Sequence, residues 1–302
     1  MNYLHYDVFT DRPLLGNQLA VFPDGRGLTT GQMQAIAREI NFSETTFVLP
    51  PERSDTDVRM RIFTPFVEMP MAGHPTVGST FALAHTGAIA RGRTRFVFGL
   101  NVGPTTVDLE WDGDRLGFVW MTQGAPAFGP VVGDRAAVAA AVGLTVEDLA
   151  DLPIQEVSCG VPYLIVPLRD RAAVDRATGN AVGMLELPNL SRSHPAVLVF
   201  AHDAGARGPN SDTTYSRMFA PDLGVSEDPA TGSAAGPLGC YLVEHGRVSG
   251  DEARGMTNLQ GVKMGRASRI YISIAGRAGD ITKVRVGGES VLVARGEFLV
   301  TG

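Results

Sequence analysis

The sequence predicts an α+β protein of two similar halves, each wrapping several strands around one buried apolar helix. Three observations lead to that class. Short runs rich in β-branched and aromatic residues recur throughout, bounded by turn residues. Each half contains one long apolar helix-forming segment, opening near His74 in the first and near Ser233 in the second. The stretch around the first helix recurs, in the same order, around the second.

Taken in order, residues 3–9 and 18–23 read as strands, and TGQMQAIAREI at 30–40 as an amphipathic helix capped by Thr29 or Thr30. Strand runs follow at TTFVLP, VRMRIFTP, RFVFGL, TTVDLEW and LGFVWMT, interrupted by the helix after His74. Residues 134–151 read as helical and mark a change of character, which sets a domain boundary near 125. The expected domains are 1–125 and 126–289, with a final strand over 290–302 returning to complete the first sheet. The second half offers YLIVPL, AVLVFAH, SRMFAP, RIYISIA, TKVRV and SVLVARGEFLV, with a helix over about 233–245. A βαβ architecture would need helices between most strands, and none are expected there.

The repeat is explicit. Arg61-Ile-Phe-Thr-Pro65 matches Arg217-Met-Phe-Ala-Pro221. Gly73-His-Pro-Thr-Val-Gly78 opens a segment ending at Gly87, and Gly232-Ser-Ala-Ala-Gly-Pro237 opens one ending at Gly246. His74 and Ser233 are therefore equivalent positions at two helix mouths.

Composition excludes several functions. The chain has 302 residues, 44% hydrophobic and 19% charged, with a formal net charge of −6 and no basic run. Nucleic acid and acidic membrane surfaces are not expected partners. Cys159 and Cys240 lie far apart in sequence, which argues against a disulfide framework or a cysteine zinc site. Nothing resembles a signal peptide or a span of ~18 apolar residues, so a cytoplasmic location is expected. P-loop, Rossmann, HExxH and GxSxG patterns are absent, and the histidines are scattered.

A duplicated helix N-terminus has a chemical use. Backbone N–H groups without helical partners and the positive end of the helix dipole attract carboxylates and developing anions. Gly73 and Gly232 allow a ligand to approach the backbone, and Pro75 suits a first turn, where its missing N–H costs nothing. Glu44, at the head of an apolar strand, reads either as a turn glutamate or as a carboxyl suited to proton transfer. Asp228 reads as a loop aspartate or a site carboxylate, His74 as a structural or catalytic histidine, and Glu68 and Glu227 as solvated loop carboxylates.

DVFTDRPLLGNQLAVF, AREINFSETTFVL, RIFTPFVEMPMAGHPTVGS, MFAPDLGVSEDPATGSAAGPL and LQGVKMGR together resemble the PhzF-like isomerase family over essentially the whole chain. The resemblance implies the diaminopimelate epimerase-like fold: two pseudo-symmetric domains, each a curled, mostly antiparallel sheet around a central helix, with the active site between them. It implies a homodimer, no cofactor, no metal and a small anionic substrate similar to trans-2,3-dihydro-3-hydroxyanthranilate. Glu44 matches the acid–base carboxyl, His74, Asp228 and Ser233 fall on the other catalytic positions, and Gly73 and Gly232 on the substrate-binding helix mouths. Epimerase and racemase relatives place a cysteine pair where Ala72 and Thr231 stand here, so two-thiol racemisation is not expected. Gln18 departs from the proline that often follows Gly-Asn in the family.

The expected reaction is a proton shift, with Glu44 taking a C–H proton and returning it to another carbon on the same face. The alternatives are an epimerase or dehydratase using Glu44 with Asp228, and a non-catalytic binding homologue. All four side chains can share one substrate only if the two helix mouths converge, with Glu44 and Ser233 within roughly 10 Å of each other.

Overall fold

A computed structural model describes residues 1–187, 196–203, 213–221 and 224–299. Asp222 and Leu223 of the repeated motif, and residues 300–302 of the expected final strand, lie outside the described residues. The chain divides into two compact units, one formed by residues 1–122 with 287–302 and the other by residues 123–286.

The first unit opens with β1 (Asn2–Val8) and β2 (Asn17–Phe22), paired antiparallel. Helix α1 (Thr30–Ile40) starts at a capping box: Gln32 N–H donates to the Thr29 hydroxyl, and Thr29 N–H donates to Gln32 Oε1. Its apolar face, Met33, Ile36 and Ala37, packs on Phe22, Phe47 and Phe63. The Phe22 and Phe47 rings stack at 4.8 Å, and Phe63 meets Phe47 edge-on at 5.7 Å.

Next come β3 (Glu44–Leu49), parallel to β2, then β4 (Val58–Phe63) and the short β5 (Glu68–Met69). Helix α2 (Gly73–His85) is buried from Gly73 through Leu83 and packs on β1, β2 and β3. A helix with no polar face belongs inside a core, and its sequence, apolar on all sides, requires that. β6 (Arg95–Leu100), β7 (Gly103–Asp112) and β8 (Arg115–Gln123) follow as an antiparallel run. The last strand of the chain, Ser290–Glu297, pairs antiparallel with β1.

The second unit contains β9 (Ala127–Val131), α3 (Arg135–Ala141), β10 (Gln155–Ser158), β11 (Pro162–Leu168), α4 (Arg171–Arg176) and α5 (Ala181–Leu185). It continues with β12 (Val197–His202), β13 (Thr214–Ala220), β14 (Val225–Asp228) and α6 (Gly232–Glu244). β15 (Met256–Gln260), β16 (Ser268–Arg277) and β17 (Asp280–Gly288) complete it. Helix α6 is buried from Gly232 through Val243 and packs on β10, β11 and β16.

Two expectations are corrected. The helical stretch over 134–151 is α3 alone followed by one 3-10 turn, Val146–Asp148. Gly143, in the left-handed region at φ 69°, ends the helix, and Thr145 with Asp148 caps the new turn. Helices between strands also do occur. α1 joins the parallel pair β2–β3, α4 and α5 join β11–β12, and α2 and α6 cross between the parallel pairs β4–β6 and β13–β15. The six residues of α4 and five of α5 are too few to show a helical period in the sequence.

The repeat extends to side chains. Arg61 on β4 grips Glu68 through two hydrogen bonds of 2.8 and 2.6 Å, and Arg217 on β13 grips Glu227 through two of 2.8 and 2.7 Å. Each guanidinium also lies over a phenylalanine two residues on, 5.1 Å from Phe63 and 5.0 Å from Phe219. Glu68 and Glu227 are therefore not solvated loop carboxylates; each sits on a strand and is neutralised by a bidentate arginine.

Arg217 additionally donates to the carbonyls of Val174, Asp175 and Ala177. Arg217→Met is expected to cost about 3 kcal/mol, because it leaves Glu227 charged without its partner. The double variant Arg217→Met/Glu227→Met should recover much of that loss. Urea unfolding of the single and double variants checks this, and equal losses in both would contradict it.

Candidate active site

In the first unit the chemistry gathers where α1 ends, β2 and β3 begin, and α2 starts. Asn41 closes α1 in the left-handed region at φ 57°, its N–H on the Ala37 carbonyl, and the chain turns directly into β3. Glu44 is the first residue of that strand, and Leu19 of β2 lies beside it in register. Asn17, at the head of β2, therefore enters from the same end as Glu44.

His74 occupies the second position of α2 and stands between them. Asn17 Nδ2 is 3.2 Å from His74 Nδ1, and His74 Nε2 is 3.5 Å from Glu44 Oε2. The ring thus turns Nδ1 toward Asn17 and Nε2 toward Glu44. Burial lowers the His74 pKa to about 3, so the imidazole is neutral. Among the described residues, Nε2 has no hydrogen-bond partner although it is buried. A 2.9 Å hydrogen bond between Thr46 and Ser79 ties β3 to α2 two residues beyond Glu44.

The helix mouth itself lacks a side-chain cap. Ala72 stands at the N-cap and offers no acceptor, while Pro75 fills the third helical position. Residues 71–75 are all buried. Gly73 and His74 thus present the positive end of a helix inside the protein, a setting that favours an anion.

In the second unit, Thr231 takes the N-cap of α6 and likewise makes no side-chain cap. Its hydroxyl instead donates to Asp228 Oδ2 at 2.5 Å. Gln260, at the end of β15, donates through Nε2 to the Asp228 carbonyl at 2.8 Å and to the Thr231 hydroxyl at 2.9 Å. Its Oε1 accepts from Thr231 N–H at 3.2 Å. Gly261 makes this approach possible: its φ is 76°, and a Cβ there would stand 2.5 Å from the Pro229 carbonyl.

At the second position of α6, Ser233 Oγ is joined to the Tyr163 hydroxyl of β11 at 2.6 Å. Gln123 donates to the Gly232 carbonyl at 2.9 Å. Pro237 has no N–H to offer the Ser233 carbonyl one turn back, which loosens the helix beside Ser233.

The structure thus brings Glu44, Gly73 and His74 together in the first unit, and Asp228, Gly232 and Ser233 along one stretch at the mouth of α6 in the second. Sequence reading missed Asn17, Tyr163, Thr231 as a partner of Asp228, and Gln260. Asn17 and Gln260 lie in stretches that carry the family resemblance, GNQLAVF and LQGVKMGR, so a signal existed for them. Tyr163 carries none, being one aromatic residue in an otherwise apolar strand.

A family described as phenazine biosynthesis-like protein matches this chain over residues 6–296. The chain belongs to that family and is a PhzF-like isomerase. Among PhzF-like relatives, the trans-2,3-dihydro-3-hydroxyanthranilate isomerase of Pseudomonas fluorescens is 36% identical over 300 residues, covering 99% of each chain. The crystal structure of a PhzF-family phenazine biosynthesis protein from Bacillus anthracis superposes with a TM-score of 0.87 at 28% identity, covering 99% of each chain. A probable proline racemase from Agrobacterium radiobacter reaches a TM-score of 0.65 at 12% identity, covering 99% of this chain and 93% of its own. That last likeness concerns fold alone. A PhzF-like fold of mixed strands with few helices is common to these structures and to this chain. In this PhzF-like chain the two helix mouths carry Ala72 and Thr231, neither of which has a thiol.

Proposed function

We propose that the protein shifts a proton within a small, cyclic carboxylate related to trans-2,3-dihydro-3-hydroxyanthranilate, using side-chain acid–base chemistry. The observation that carries the reading is Glu44 facing Nε2 of a neutral, buried His74, at the uncapped mouth of a buried helix. The full-length likeness to the Pseudomonas fluorescens isomerase supports the substrate class.

In this reading Glu44 removes an acidic C–H proton, leaving an anion delocalised through the conjugated ring and its carboxylate. The Gly73 and His74 backbone N–H groups at the helix mouth stabilise that charge. Glu44 then returns the proton to a different carbon on the same face. Asp228, Gly232 and Ser233 serve the same substrate by holding its polar groups.

The test is conversion of trans-2,3-dihydro-3-hydroxyanthranilate in D₂O, followed by NMR. The expected result is an isomer altered at one new carbon, with unconsumed substrate retaining its configuration. Inverted substrate carrying deuterium would mark an epimerase instead. Tight binding without product over hours would mark a binding protein.

A further inference from the structure

We infer that Thr231 and Gln260 are positioning residues that hold Asp228 as an oriented carboxylate. Two backbone groups fix the orientation of the Gln260 amide. The Thr231 N–H only donates, so the atom 3.2 Å from it is Oε1. The Asp228 carbonyl only accepts, so the atom 2.8 Å from it is Nε2. Nε2 then also donates to the Thr231 hydroxyl at 2.9 Å.

That hydroxyl has a single proton. While accepting from Gln260, it donates that proton to Asp228 Oδ2, which accepts it at 2.5 Å. Proton direction is thereby set from Gln260 through Thr231 to Asp228. Gln260, Thr231 and Asp228 are all buried, so water does not readily substitute for any link.

The local backbone shows what Thr231 gives up. A threonine at a helix N-cap ordinarily accepts from an N–H of the first turn. Thr231 makes no such bond, and its side chain is turned to Asp228 instead. Gly261 keeps Gln260 within reach, since any side chain there would strike the Pro229 carbonyl.

Within the second unit, β13 and β14 beside Asp228 carry Arg217 and Glu227, and α6 ends at Glu244. Arg217 and Glu227 are paired with each other. Lys263 and Arg266 lie on the turn after β15, and Lys263 is exposed. Thr231 and Gln260 are neutral groups bonded to the aspartate, so its ionisation is expected to respond to them.

The inference deepens the proposed function, in which Asp228 holds the substrate, but its test does not depend on turnover. The Asp228 carboxyl is titrated by ¹³C NMR in the ligand-free enzyme, with Asp228→Asn assigning the resonance. Thr231→Val and Thr231→Ala should each raise its midpoint by about one to two pH units, the range expected for losing a hydrogen bond to a charged group. Thr231→Ser should restore the wild-type midpoint, which a merely structural role for the residue would not require.

In the same variants, the acid limb of kcat/KM should move upward with the NMR midpoint. An unchanged Asp228 midpoint in folded Thr231→Val or Thr231→Ala would overturn the inference. A shifted midpoint without any shift in kcat/KM would leave the positioning intact and count against the role of Asp228 in the proposed reaction.

Discussion

Glu44→Gln enzyme is expected to lose about a thousandfold in kcat, with KM nearly unchanged. Glutamine keeps the length and shape of the side chain and its place at the head of β3, but it cannot take a proton. General acid–base catalysis by one side chain contributes about 10²–10⁴ in rate, which sets the expected loss. In the proposed reaction the residues that hold the substrate are left unchanged, so the loss is expected to fall on kcat. His74 is a poor replacement for the base, because burial lowers its pKa to about 3 and makes it a weak proton acceptor. Steady-state kinetics on the converted substrate, with circular dichroism to confirm folding, tests this. Full turnover by Glu44→Gln would remove Glu44 from the mechanism.

The second large effect is on stability rather than rate. His74 has its pKa lowered to about 3 in the folded protein by burial, against about 6.5 in an unfolded chain. Between those values the unfolded state binds the proton and the folded state does not. Stability is therefore fully present above about pH 6.5 and is lost as the pH falls toward 3. The expected loss from this residue is about 2 kcal/mol between pH 7 and pH 5, rising to about 5 kcal/mol below pH 3.

Burial also lowers the pKa values of His202 and His245, so they add to the trend in the same direction. His74→Asn isolates the share due to His74, because the other two remain. Urea midpoints measured at pH 7, 6 and 5 should fall less steeply in His74→Asn than in wild type. Parallel lines would show that His74 is not the group responsible.

Legibility of the sequence varied with the length and period of each feature. Helices α2 and α6 announced themselves, since long apolar segments with no polar face have only a core to occupy. Glu44 was readable as the head of a strand because a helix pattern ends just before it. The paired carboxylates Glu68 and Glu227 were misread as solvated. Their partners, Arg61 and Arg217, lie seven and ten residues away across a strand connection, and no local rule links them. Short helices such as α4 left no period to detect. Tyr163 met Ser233 through tertiary packing that a strand pattern cannot encode. Thr231 was noticed for lacking a thiol, whereas its bond to Asp228 needed Gln260, which comes from a distant strand.

The pairing of the last strand with β1 has a consequence for how the chain is made. Asn2 lies opposite Glu297, and the first amino group donates to the Phe298 carbonyl at 2.7 Å. On a ribosome, β1 emerges long before this neighbour, with β2 to β17 synthesised between them. The segment from 123 to 286 is continuous and forms a compact unit of its own. Loop-closure entropy grows only slowly with loop length, so the delay adds little to the equilibrium cost. It adds to the time during which β1 presents an unpaired edge to other nascent chains. β1 carries Asn2, His5 and Asp7, and polar or charged residues on an edge strand disfavour such pairing.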